Sequence, residues 1–268
     1  MPSTQLLKRD WEKDHVYLVQ FPRTAAIPTP SPFTLKLETW LRMNDIPYTN
    51  IDNQFSKKSA KGQIPFIELN GRQIPDSNII IDHLIEHFDK GHADKNLSAA
   101  DKAISRAFFT LIEHHICWTM FYSRSRDCSW LATEQGFLKH LSGIKAFAFK
   151  NIMVGQLEKK LKKKCGSHGI GLLTKEEVIA DTKKDLEALS VQLGEKKYLF
   201  GDVPTTLDAT AFGHLSEIYY APLFTDELNN YMDSSTPNLV KYLNRIKEIY
   251  WPDWEEACTT QSLNTKFK

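Results

Sequence analysis

With 268 residues, 41% hydrophobic and 25% charged, the chain has the composition of a soluble globular protein and apolar content enough for about two ordinary domains. Lys and Arg number 34 against 33 Asp and Glu, and the resulting net charge of +1 offers no electrostatic footprint for nucleic acid. No apolar run approaches the roughly 18 residues of a transmembrane helix, so no transmembrane segment is expected.

Residues 1–14 are polar and aperiodic and read as a flexible arm. They lack the apolar stretch of a secretory signal and contain acids, which a transit peptide avoids. Cys117, Cys128, Cys165 and Cys258 form no C-x-x-C pair, so the expectation is reduced thiols in a cytoplasmic protein. "HVYLVQF" (15–21) has the β-branched and aromatic content of a short buried strand. The Pro-rich loop "PRTAAIPTP" (22–30) comes next, long enough to lie over or fill a neighbouring cleft. In "SPFTLKLETWLRMN" a serine N-cap, a proline at the first helical position, and Phe33, Leu37, Trp40 and Leu41 at helical spacing predict a helix. "PYTNID" (47–52) is a second strand candidate.

"PFIEL" (65–69) and "RQIP" (72–75) flank Asn70-Gly71, a strong hairpin signal because both central residues of a type I′ turn need positive φ. "SNIIIDHLIEHF" (77–88) continues as an amphipathic helix. Strand, helix, strand, hairpin and helix in that order give a small α/β domain over 15–90 with thioredoxin topology, lacking the Cys-x-x-Cys. A polar linker (91–98) leads into a segment with no convincing strand. Helical periodicity runs through 99–127, 146–164, 174–193, 205–220 and 236–249, so an all-helical domain is expected over 99–255, with a tail at 256–268.

This layout resembles the glutathione transferase superfamily: an N-terminal α/β thioredoxin-like domain plus a C-terminal all-α domain. Pro65 after Ile64 resembles the cis-proline of that family, whose preceding residue presents its backbone to the cysteinyl part of glutathione. Asp76-Ser77 resembles its acid-serine pair, where a hydroxyl and helix N-terminal amides receive the γ-glutamyl carboxylate. "GDVPTTLDATAF" is similar to the family's structural N-capping box, with Thr205 capping and Asp208 reaching back to its amide. More closely, "VYLVQFPRTAAIPTPSPFTLKLETWLR", "KGQIPFIELNGRQIPDSNIII", "HGIG" and "LFGDVPTTLDATAF" together resemble the failed axon connections family, which includes cadmium-responsive proteins and is related to the metaxins. The resemblance implies a transferase-like fold, glutathione as ligand or co-substrate, a homodimer as the superfamily forms, and links with axonal development and metal stress responses.

Two residues compete for the catalytic position. Alignment with the tyrosine-type pattern puts Gln20 where the tyrosine would stand, while Ser31 in "SPF" falls where cysteine-type classes carry "CPF". Ser31 is equally explained as an ordinary N-cap. Whether the chain turns over stays open at this level. One reading is glutathione binding with weak or absent conjugation; the other is a non-catalytic adaptor acting through protein partners. "IEHHICWTMFY" (112–122) suggests a metal, but only His114 and Cys117 share a helical face, too few ligands, so no metal is expected. Read as one regular helix, Phe108, Leu111, His115, Trp118 and Tyr122 form a buried stripe, with His115, Trp118 and Tyr122 bordering an acceptor pocket. "EKKLKKK" (158–164) reads as a solvated helix end, the alternative being attraction to an anionic membrane, for which no aromatic anchors are evident.

Overall fold

The β-branched and aromatic run of residues 16–20 is buried along its whole length because it forms the centre of a sheet. In the computed structural model, which describes residues 4–259 and the backbone of 266–267, β1 (Val16–Gln20) has neighbours on both sides. After α1 (Pro32–Met43), β2 (Tyr48–Asp52) returns parallel to β1, in register from Val16 with Tyr48 to Gln20 with Asp52. On the other side β3 (Phe66–Leu69) runs antiparallel to β1 and β4 (Arg72–Pro75) antiparallel to β3. Asn70 and Gly71 take φ of 49° and 75°, the pair of positive values the tight hairpin requires. α2 (Ser77–Phe88) closes this domain. Val16, Leu18, Leu37, Leu41, Ile80 and Leu84 form the core between sheet and helices.

The helical part begins with α3 (His92–Lys95), one turn inside the expected linker, and α4 (Ala99–Leu111). α4 runs through a π-helical turn, Ile112–Ile116, into α5 (Cys117–Arg126). Then α6 (Gly143–Ala148) passes through a second π turn, Phe149–Met153, into α7 (Val154–His168). The chain continues with α8 (Lys175–Leu193), α9 (Thr206–Tyr219), α10 (Glu227–Ser235), α11 (Pro237–Tyr250) and α12 (Trp254–Thr259). Periodicity missed the short α10 and α12. Residues 256–259 belong to α12, and β5 (Lys266–Phe267) pairs antiparallel with β2 at the sheet edge. The rest of the expected tail, and residues 1–3 of the expected arm, lie outside the described residues. Beyond residue 3 that arm is attached: the amides of Leu7 and Lys8 donate to the Glu68 carboxylate at 2.7 and 2.9 Å, and Asp14 N donates to Asn70 at 2.8 Å.

The N-capping box at α9 is present as read. Asp208, fully buried, accepts from the Thr205 amide at 2.7 Å, the Thr205 hydroxyl at 2.9 Å, the Leu199 amide at 2.8 Å and the Tyr242 hydroxyl at 2.9 Å. α9 lies against α1 closely enough that a Cβ on Gly213 would stand 2.6 Å from Lys36 N, so only glycine fits there.

The Pro-rich loop is sealed between the two parts of the molecule. Ile27 is buried in the helical core, and the amides of Ala25 and Ala26 donate to Gln135 O at 2.8 and 3.1 Å. Arg124 Nη1 donates to Pro30 O at 2.6 Å. From within this loop Arg23 forks onto Glu38 of α1 at 2.6 and 2.9 Å. Asn50, Tyr48 and Gln20 donate to the same carboxylate at 2.9, 3.0 and 3.0 Å. Arg42 donates to the Tyr48 hydroxyl and pairs with Asp253 of the segment before α12.

Burial alone would raise the Glu38 carboxyl, but the Arg23 and Arg42 charges and the donated hydrogen bonds outweigh it and hold its pKa at about 2. The folded-state value lies below the unfolded one, so this stabilisation is complete above the normal carboxylate range and is lost as pH falls towards about 2. Glu38→Gln leaves Arg23 buried without its counter-charge, for an expected loss of about 3–5 kcal/mol in urea unfolding at neutral pH. Between pH 4.5 and about 2 the wild-type stability should fall more steeply than the variant's.

Candidate functional site

Where the first domain meets α5 and α7, a cleft of about 770 Å³ lies open. Ser31, Ile64, Pro65, Asp76 and Ser77 border it on one side; His114, Cys117, Trp118 and Phe121, with Leu157, Lys160, Leu161 and Lys164 of α7, border it on the other. Of the Pro-rich loop only Pro30 reaches the lining, so the loop does not fill the cleft.

Ser31 caps α1, its Oγ accepting from Thr34 N at 3.4 Å. Among the described residues the hydroxyl hydrogen has no acceptor, which leaves it able to donate into the cleft. The Ile64–Pro65 bond is cis and stands at the entry to β3. Asp76 caps α2, accepting from Asn78 N at 3.0 Å, and does so with φ of 78°, a backbone setting that residues with a Cβ rarely adopt. Ser77, at the first turn of α2, is nearly buried, and among the described residues its hydroxyl has no partner. The first-turn amides and dipole of a twelve-residue helix favour a carboxylate at this point.

Gln20 is elsewhere. It is fully buried, its amide donating to Glu38 and Asn50, and it does not line the cleft. A strand residue pairing with β2 points where the pleat sends it, and here that is into the Glu38 network.

The far wall corrects the expected acceptor residues. Trp118 lines the cleft, but His115 and Tyr122 do not. His115 turns to α8, where Asp185 and Asp181 hold its two ring nitrogens; the hydrogen bond to Asp185 raises its pKa despite partial burial. Tyr122 is buried with its hydroxyl donating to Leu173 O at 3.2 Å. The cause is the π turn at Ile112–Ile116, whose extra residue rotates α5 by about 100° relative to a regular continuation of α4. That rotation brings Glu113, His114, Cys117 and Phe121 to the cleft. Burial pushes the Cys117 thiol well above its ordinary pKa, so it is no nucleophile. Among the described residues no group of three or more His, Cys, Asp or Glu side chains could hold a metal ion.

Beneath the cleft is a triad that sequence inspection did not find. Lys36 Nζ, fully buried, donates to Glu113 Oε1 and to Asn78 Oδ1, both at 2.6 Å, and Asn78 Nδ2 donates to Glu113 Oε2 at 2.9 Å. It ties α1, α2 and the π turn together. Burial works to raise the Glu113 carboxyl, yet the Lys36 ammonium holds it below the usual range. "HGIG" also finds a role. Gly169 ends α7 with φ of 101°, and a Cβ on Gly171 would stand 2.6 Å from Gly166 N. This tight return leaves His168 stacked on Trp118, ring centroids 3.9 Å apart. With Glu113 paired inward, the cleft mouth carries Lys58, Lys160 and Lys164, none of which has an ion-pair partner among the described residues.

Comparison with known proteins agrees with this fold. The glutathione S-transferase N-terminal domain matches residues 32–130, and the glutathione S-transferase C-terminal domain matches 182–246. "Failed axon connections" of Drosophila melanogaster is 40% identical over 96% of this chain, which spans 63% of that protein's length. Metaxin-2 of Mus musculus is 26% identical over 82% of each chain. A glutathione S-transferase of Ceriporiopsis subvermispora, solved in complex with glutathione, superposes with a TM-score of 0.58 at 14% identity, covering 87% of this chain and 97% of its own.

The triad generates a test. Lys36→Met strands a buried carboxylate, for an expected loss of about 3 kcal/mol or more in urea unfolding, and Lys36→Met with Glu113→Leu should recover much of it. A single variant as stable as wild type would show that the triad does not couple the two domains.

Proposed function

The chain belongs to the failed axon connections family of the glutathione transferase superfamily, and we propose that it binds glutathione in this cleft with weak or absent conjugation of electrophiles. One observation carries the reading: Ser31, the Ile64–Pro65 edge, Asp76 and Ser77 all border a single open cleft. In this reading the α2 N-terminus and the Ser77 hydroxyl receive the γ-glutamyl carboxylate. Asp76 faces the ammonium beside it. The backbone at Ile64 meets the cysteinyl amide, and Lys58 at the mouth suits the glycyl carboxylate. Ser31 is then the group that can donate to the sulfur, helped by the positive end of α1. A thiol of pKa about 8.5 needs more than one neutral donor to ionise fully near neutrality, which is why turnover is weak or absent. The apolar far wall of Trp118, Phe121, Leu157 and Leu161 would take a hydrophobic acceptor. Four buried free thiols fit a reducing cytoplasmic setting, and no helix among the described residues is long and apolar enough to cross a membrane.

A second reading, a non-catalytic adaptor working through protein contacts in axonal development or stress response, is favoured by Gln20. The side chain at the tyrosine position is locked in the Glu38 network and offers the sulfur nothing.

Calorimetric titration of glutathione decides between them. Wild type is expected to bind, Ser77→Ala to bind roughly tenfold more weakly through loss of a hydrogen bond to a charged group, and Ser31→Ala to bind but lose whatever conjugation of a chloronitrobenzene the wild type performs. No heat at millimolar glutathione would overturn the first reading.

A further inference from the structure

The second π turn leaves an anomaly on the surface. Large apolar side chains are scattered singly on most proteins, yet within nine residues Ile144 is 87% exposed, Phe147 67% and Ile152 51%. Phe149 and Val154 of the same stretch are buried, so the helix is seated correctly and these three face outward by its own geometry. Ile144 and Phe147 are three residues apart, and the wide turn Phe149–Met153 carries the stripe on to Ile152. Further along α7, Lys159 and Lys163 lie seven and eleven residues beyond Ile152, on the same face at about 100° per residue. That face is opposite Leu157 and Leu161, which line the cleft.

Charge identifies what the face meets. Residues 143–168 hold seven lysines and one acid, Glu158, a formal +6 in a chain whose total is +1. Lys145, Lys150, Lys159 and Lys163 are all exposed, and none has an ion-pair partner among the described residues. A second copy of this chain would bring one lysine-bearing face against another. A nucleic acid would use the lysines but has no place for three exposed apolar side chains. We propose that the outer face of residues 143–163 is a docking surface for an anionic lipid membrane. Ile144, Phe147 and Ile152 enter the interface between headgroups and acyl chains while the lysines along the helix meet the anionic headgroups. The helix lies in the plane of the membrane and does not span it. The cleft, on its other side, stays open to solvent, so docking and ligand binding are independent.

Co-sedimentation of the full chain with two kinds of vesicle tests this: phosphatidylcholine alone, and phosphatidylcholine containing phosphatidylserine. Wild type is expected to partition onto the anionic vesicles far more than the neutral ones, with the difference shrinking as salt is raised. Lys159→Gln with Lys163→Gln should cut partition roughly thirtyfold, and Ile144→Ser with Phe147→Ser at least about tenfold. All four positions are exposed, and unchanged thermal unfolding would verify that the variants fold. Equal partition onto both vesicles, none onto either, or variants that bind like wild type would overturn the proposal. So would retention on duplex DNA or RNA without vesicle binding, or a dimer abolished by Ile144→Ser with Phe147→Ser in a chain that ignores vesicles.

Discussion

Helix α1 is the member on which everything else rests, because it buries charge on two sides at once. Nine of its twelve residues are buried, among them Lys36 and Glu38. Neither charge could stay there unpaired, since an uncompensated buried ion costs several kcal/mol. Glu38 therefore gathers Arg23 from the Pro-rich loop and Asn50 and Tyr48 from β2. Lys36 reaches the other way, to Asn78 of α2 and Glu113 of the π turn. Each buried charge thus obliges a distant segment to come to one place, and together they align the sheet domain with the helical domain. Gly213 completes the arrangement by letting α9 lie directly on the α1 backbone.

The cleft is a consequence of that alignment. Its inner edge is made of helix starts and a strand entry, which present unspent donors: the Ser31 and Ser77 hydroxyls and the first turn of α2. Its outer edge is made of long helices, which present side chains, apolar in the middle and cationic at the mouth. The hydrogen-bond donors and the apolar surface of the cleft are therefore supplied by different kinds of structure. Gln20 is taken up by the Glu38 network, Cys117 is held protonated by burial, and Ser31 lines the cleft.

Both π turns sit where a helix changes task. At Ile112–Ile116 the extra residue turns the helix from packing beside α9 to lining the cleft; at Phe149–Met153 it keeps Phe149 and Val154 inward while Ile144, Phe147 and Ile152 remain outside. A regular 3.6-residue period does not anticipate either rotation. The same kind of backbone detail explains "HGIG", whose glycines permit a close return against the end of α7 and thereby hold His168 on Trp118.

What the sequence by itself determined was carried by local chemistry. Strand composition, the Asn70-Gly71 turn, serine and threonine caps, the Thr205–Asp208 box and the Ile64-Pro65 and Asp76-Ser77 marks are each decided within a few residues, so they could be read without a structure. Long-range pairing was decided only by the tertiary structure. That Gln20 belongs to Glu38, that Lys36 seeks Glu113 across 77 residues of sequence, and that His115 turns to Asp185 depend on which elements become neighbours and on the phase of a helix through a π turn. Periodicity reports which face of an ideal helix is apolar. It does not report where an inserted residue shifts that face, nor which buried charge will find its partner.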